Sequence, residues 1–348
     1  MKILTKSLST LAVCAVFASV QVSANAMMTG DTGLGQGIGG AVINSAQGGY
    51  VGTDLGTNSA TLNFQGSAHV NWDTLNLNSN EALNFNAVNG ASGITVLNTV
   101  QNNMSQIYGS INANEGISNL IISNPNGLLF DGAHYTTAGD TMITTQVLGS
   151  EFNGTNMTVV GLANEAVNAV TIKDSNFNIG GTFNIVSPSV EVIKGALKAT
   201  DGVKFITADG QSFLVAPTSN NNVEHKAVRL QAVSIDGDVY IASGKDVVSI
   251  VDGGEIKGDL NVATKGDFAV NYGGMGRLHV TGDVNASTDS FNMFLRKADV
   301  DGDVNMSNSG GFVELANSNV KGNVDLKTTV ASNEDRKHNV KNALNSLN

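Results

Sequence analysis

The chain has 348 residues, a formal charge of −11, a 41% hydrophobic fraction and a single cysteine, Cys14. A surface this acidic would be repelled by nucleic acid and by anionic lipid. One cysteine excludes a disulfide scaffold and a thiolate metal site. The 40 glycines, and the many asparagines that follow Ala26, suit left-handed backbone at tight turns, while frequent Val, Ile and Thr favour strands. These point to an all-β chain of many short strands. Regular apolar alternation argues against disorder.

Residues 1–26 read as a secretory signal peptide. Lys2 and Lys6 precede an apolar stretch from Leu8 to Val22, and Ala24-Asn25-Ala26 is a small-x-small site with cleavage expected after Ala26. The stretch is shorter than the ~20 residues of a spanning helix. Val13 stands before Cys14 where a lipoprotein signal needs a small residue. No later run is long and apolar enough to cross a bilayer, so no stable membrane insertion is expected. Cleavage removes both lysines and the cysteine, which leaves the mature chain cysteine-free and more acidic still.

Within "IISNPNGLLF" (121–130), Asn124-Pro125-Asn126-Gly127 has the chemistry of a type I turn between apolar strands. Asn124 can bond back to the chain, Pro125 presets φ, and Asn126 and Gly127 tolerate the closing geometry. The motif residues before it run in order: Trp72-Asp73, Asn84-Phe85-Asn86, Leu97-Asn98, Val100, Ser105-Gln106-Ile107 and Gly109. This series over residues 70–132 resembles the secretion domain of two-partner secretion exoproteins, the filamentous haemagglutinin type. The likeness extends more loosely over residues 27–217, where "IVSPSVEV" (185–192) fits a later Pro-containing strand. One departure is local: residues 78–80 are "NSN", without the proline of the family's upstream Asn-Pro-Asn-Leu.

The resemblance implies a route and a partner. Such a chain enters the periplasm by the general secretory pathway and stays largely unfolded there. An outer-membrane β-barrel transporter with periplasmic recognition domains then takes it up, with Asn124, Pro125, Asn126 and Gly127 as the recognition turn. Coils stack as the chain emerges. The chain is then secreted or displayed on the cell surface of a Gram-negative bacterium.

Residues 175–217 alternate throughout, and a polar run at 218–226 is expected to be a loop on one continuous solenoid. Beyond it the sequence repeats: "SIDGDVYI", "EIKGDLNV", "HVTGDVNA", "DVDGDVNM" and "NVKGNVDL" align on Gly237, Gly258, Gly282, Gly302 and Gly322, at nearly even intervals. Val239, Leu260, Val284, Val304 and Val324 share one apolar column, and polar Tyr240, Asn261, Asn285, Asn305 and Asp325 follow them. Spacers such as "DVVSI", "DFAVN" and "GFVEL" add a second strand per repeat. A repeat of about 20 residues buries its apolar side only by stacking on its neighbours. The expected fold is therefore a right-handed single-stranded parallel β-helix, with capping elements at the N-terminal end. At ~4.8 Å per coil, about 15 coils would make a rod of roughly 70 Å. A barrel or sandwich would need shorter turn spacing, and a leucine-rich repeat would need leucine columns.

The domain reading is thus a signal peptide at 1–26, a secretion domain at 27–217, repeat coils at 218–330 and a tail at 331–348. In the tail, "SNEDRKHNV" has helix-start chemistry, and Val340, Leu344 and Leu347 share a face, which suggests a short helix over the open end, with a frayed terminus as the alternative. Asp238, Asp259, Asp283 and Asp303, then Asn323, follow the repeat glycines. They read as solvated acids at a turn, with Ca²⁺ as the alternative. His69, His134, His225, His279 and His338 lack metal-ligand spacing and read mostly as surface residues. Arg229, Arg277, Arg296 and Arg336 are scattered. No catalytic residue, metal ligand or cofactor is assigned. The expected function is an exported adhesin or structural surface protein, with a host glycan or cell-surface receptor as a further partner. The alternatives are a β-helical polysaccharide-active enzyme and a truncated exoprotein that keeps only the export module.

Overall fold

The computed structural model describes residues 28–33, 38, 40–162, 168–207, 226–244, 247–288 and 292–328. Every regular element among them is a β-strand, and the strands stack as a β-solenoid of about 10 turns.

Each turn contributes strands to three parallel ladders. One ladder runs from Ala82–Ala87 through Ser110–Ala113, His134–Thr137, Asn176–Ile179 and Ala196–Ala199. A second runs from Ile94–Val100 through Ile117–Ser123, Asp140–Thr144, Phe183–Val186 and Val203–Thr207. A third runs from Ser105–Ile107 through Leu128–Asp131, Val170–Lys173 and Val190–Ile193. All three continue past the polar stretch at 218–226: Val190 pairs with Val228, Leu197 with Ile235 and Val203 with Val239. Residues 208–225 themselves lie outside the described residues.

The repeat columns are in register. Val239, Leu260, Val284, Val304 and Val324 pair one with the next, coil upon coil. Within each strand alternate residues face inward, as in Val304–Asn308, where Val304 and Met306 are buried and Asn305 and Ser307 exposed. The inward columns make one continuous core from Ile38 to Leu315. Aromatic rings stack along it. Tyr135 lies 5.1 Å from Phe177 in near-parallel planes, and Phe177 lies 5.0 Å from Phe183.

The N-terminal end is closed differently. Strands β1 (Met28–Gly33), β2 (Ala41–Gly56) and β3 (Ser59–Leu75) pair antiparallel, and β3 then offers its free side to the first parallel coils. The edge at this end is thereby short and bulged, which makes it a poorer template for unwanted pairing.

About ten coils rather than fifteen is a correction with a simple cause. The strands before Ser59, Met28–Gly33 and Ala41–Gly56, go into the antiparallel cap. In addition, two coils are long: His134 pairs with Asn176 and Ala196 with Ser234, each step close to double that of the repeat coils. The first of these long coils contains an antiparallel hairpin, Leu148–Asn153 with Asn156–Gly161, outside the ladders.

Candidate functional site

The turn at 124–127 is a bonded corner. The Gly127 N–H donates to the Asn124 carbonyl at 3.0 Å, closing the turn. The Asn126 N–H donates to Asn124 Oδ1 at 2.9 Å. Asn126 keeps a negative φ while Gly127 is at +104°, so the left-handed residue follows the turn, as in type I rather than type II. The Asn124 side chain points inward. Its Nδ2 donates to Ser105 Oγ and to the Asn103 carbonyl, both at 2.9 Å on the preceding coil. Asn124 is fully buried, whereas Pro125 and Asn126 are half-buried. The outer side of the corner is also tied: Asn126 Nδ2 donates to the Gln101 carbonyl, and Asn168 Nδ2 donates to the Pro125 carbonyl.

The other residues of the ordered series converge on the same coils. Trp72 is fully buried, and its Nε1–H donates to Asn98 Oδ1 at 3.0 Å. Asn98, also fully buried, donates to the Ile121 carbonyl at 3.1 Å. Three successive coils are thereby linked through one buried amide. Asn84 and Asn86 belong to outward amide ladders, accepting from Asn112 at 3.0 Å and Asn114 at 2.7 Å. Phe85 stacks 6.2 Å from Phe64. Where the upstream proline is missing, residues 78–81 still turn. The Glu81 N–H donates to the Asn78 carbonyl, and the Glu81 carboxylate accepts the Asn78 N–H at 2.7 Å.

The hairpin at 148–161 was not foreseen from sequence. It packs Met157, Leu148, Phe152 and Val159 on Leu97 and Ile121, which point outward from the second ladder. The available signal was the column Leu97, Ile121 and Met142, apolar on three successive coils on the face that should be polar. Beneath the hairpin lies His69, buried rather than on the surface. Its Nδ1 is 2.8 Å from Ser150 Oγ and its Nε2 2.7 Å from Thr99 Oγ1. Thr99 spends its own proton on Asn71. Nε2 therefore donates to Thr99, and in the neutral ring Nδ1 accepts from Ser150. Burial pushes its pKa down to about 4.

The acidic column is likewise not simply solvated. Asp238, Asp259, Asp283 and Asp303 each accept, through Oδ1, the backbone N–H of the next member at 2.6 to 2.9 Å, ending on Asn323. Gly282, Gly302 and Gly322 have no left-handed φ. They are needed for room: a Cβ on any of them would meet the Asp Oδ1 of the coil before. Gly237 and Gly258, in contrast, have positive φ.

The arginines pair across coils, Arg229 with Glu191, Arg277 with Asp299 at 2.6 Å and Arg296 with Glu314 at 2.8 Å. His279 lies near Glu255 and Asp301. Among the described residues no group of three or more His, Cys, Asp or Glu could hold a metal ion, and no helix is long and apolar enough to cross a membrane. Ala24, Ala26, His225, Arg336, His338 and the tail from 331 lie outside the described residues.

No protein-family model and no curated protein matches the chain. Solved structures that match include two that align with most of it. The HMW1 secretion domain from Haemophilus influenzae is 16% identical, with 83% of this chain and 99% of that one covered at a TM-score of 0.45. The filamentous hemagglutinin secretion domain is 17% identical, with 82% and 98% covered at 0.39. At such identities and scores the functional reading rests on the residues themselves.

Proposed function

We propose that this chain is a two-partner secretion exoprotein, exported through a cognate outer-membrane β-barrel transporter to act at the bacterial surface as a structural or adhesive protein without catalysis. The observation that carries this reading is where the ordered series falls. Trp72, Asn98, Ser105 and Asn124, well separated in sequence, meet in the buried polar contacts of the first coils.

Export and folding are opposed in such a chain, and the sequence serves both. Until the coils stack, the inward columns are exposed and the series is an accessible linear string. Pairing partners lie at least a full coil apart in sequence, which slows closure. No cysteine follows Ala26, so no disulfide can lock the chain before it crosses. Asn124 is hidden once its coil has closed. Recognition by the transporter's periplasmic domains therefore reads the open chain, or else the Pro125–Asn126 edge that stays partly exposed. Outside the cell, closing the first coils would oppose backward sliding.

The test is export of an Asn124→Ala/Asn126→Ala double variant beside the single Asn126→Ala, which spares the buried bonds. Periplasmic retention of both is the expected result. Normal secretion of the double variant would overturn the recognition role while leaving the turn as described.

A further inference from the structure

The sheet face formed by Val203–Thr207, Val239–Ser243, Leu260–Thr264, Val284–Thr288 and Val304–Asn308 carries a groove of about 500 Å³, within the size range of ligand sites. Two outward columns shape it. One is Lys204, Tyr240, Asn261 and Asn285, each paired with the next along the solenoid axis, and Asn305 continues the column beyond the groove. The other is Ile206, Ala242 and Ala263, whose small members leave a trough beside the first.

We propose that this trough binds a neutral, linear polysaccharide running along the solenoid axis, with a sugar ring on Tyr240 and its hydroxyls on the asparagine ladder. Tyr240 is 41% exposed although it is a large ring in mid-sheet. It is also held in place. Its ring packs over Gly202, where a Cβ would stand 3.3 Å from Cε2, its hydroxyl reaches Asp238 at 3.4 Å, and Lys204 stands 6.0 Å from the ring centroid. A fixed, exposed ring is a stacking platform with little ordering cost.

The amides supply the polar half. Asn285 Nδ2 donates to Asn261 Oδ1 at 3.1 Å, and Asn305 Nδ2 donates to Asn285 Oδ1 at 3.0 Å. A primary amide has two N–H groups and two lone pairs. Asn285 thus keeps one donor and one acceptor free of the ladder, the pairing a sugar hydroxyl satisfies. Over Asn261, Asn285 and Asn305 the amide recurs once per coil, about 4.8 Å, so a linear polymer meets it at successive steps.

Other occupants fit less well. The groove is on a sheet face whose backbone groups are spent in the ladders, so an extended peptide would find no edge to pair with. Asp201 in the lining balances Lys204, and the chain's charge of −11 disfavours an acidic polymer. The inference gives the adhesive part of the proposed function a ligand class. It concerns the folded protein only, so its failure and that of the export reading are separable.

The experiment is calorimetric titration of the purified protein with neutral β-linked hexasaccharides of glucose, mannose and N-acetylglucosamine. Hexagalacturonate and a neutral hexapeptide serve as comparators. Saturable binding of a neutral hexasaccharide is expected, weakened about tenfold or more by Tyr240→Ala and several-fold by Asn261→Ala or Asn285→Ala, and unaffected by Tyr272→Ala, which removes an exposed ring that does not line the groove. Circular dichroism confirms that the variants fold. Four results would overturn the proposal: no neutral hexasaccharide binding up to about 10 mM, binding indifferent to Tyr240→Ala, binding lost with Tyr272→Ala, or preference for either comparator.

Discussion

Asp283 and Gly302 sit on adjacent coils and depend on each other. Asp283 Oδ1 accepts the Asp303 N–H at 2.8 Å, in the space that a Cβ on Gly302 would need. The Gly-Asp pair of the repeat is therefore one device: the aspartate of each coil fills the hole left by the glycine of the next.

Gly302→Ala should destabilise the protein by about 1–3 kcal/mol, as an overpacked site does. Asp283→Ala should cost about 1 kcal/mol through the lost backbone bond. The double variant should not recover full stability, because the new Cβ would still stand 2.7 Å from the Gly282 carbonyl. Urea denaturation of the three variants checks this, and full rescue in the double variant would refute it.

Asn124→Ala removes both donors to the preceding coil and the acceptor for the Asn126 N–H. Leaving Ser105 and two backbone groups short of partners should cost roughly 2–4 kcal/mol. Asn126→Ala loses a half-exposed bond to Gln101 and should cost less than about 1 kcal/mol. A comparison of melting curves would show whether Asn124 is the inner, structural half of the turn.

Asn98→Ala strands the Trp72 indole N–H inside the core and takes a side-chain donor from the Ile121 carbonyl. A loss of about 3 kcal/mol is expected, with a changed emission from Trp72, the chain's single tryptophan. Asn98→Leu should be no better, since the indole N–H remains buried without its partner.

His69 makes stability depend on pH. Its folded pKa, about 4, lies below the ordinary value of 6.5, so the unfolded chain binds the proton more readily. The stabilisation is complete above pH 6.5 and is lost as pH falls toward 4, by up to about 3 kcal/mol if the whole shift is expressed. Protonation puts a charge beneath the hairpin, so amides of 148–161 should exchange faster first. His69→Gln should flatten the pH profile over that interval, and an unchanged profile would remove His69 as the cause.

Much of the scaffold was legible because it repeats. Val284, Val304 and Val324 stand at equal spacing with polar residues between them, and any fold that buries them all must stack them. The turn at Asn124 could be read for the same local reason, since four residues carry its chemistry. The site chemistry was less legible. The aspartate column looked like exposed acid because its acceptor bonds run to a backbone one full coil away in sequence. His69 looked like a surface residue because Ser150, 81 positions on, covers it.

By itself, then, the amino-acid order determined the coil, its inward face and its corners, all set by period-two alternation and turn residues that act within a few positions. Tertiary structure alone decided what meets along the axis: Asn124 with Ser105, Asp283 with Gly302, Ser150 with His69, and Tyr240 beside the asparagine ladder. The longest coils take up about twice as much chain as the shortest, so the axial neighbour of a side chain is fixed by how each coil closes, not by a constant interval in the chain.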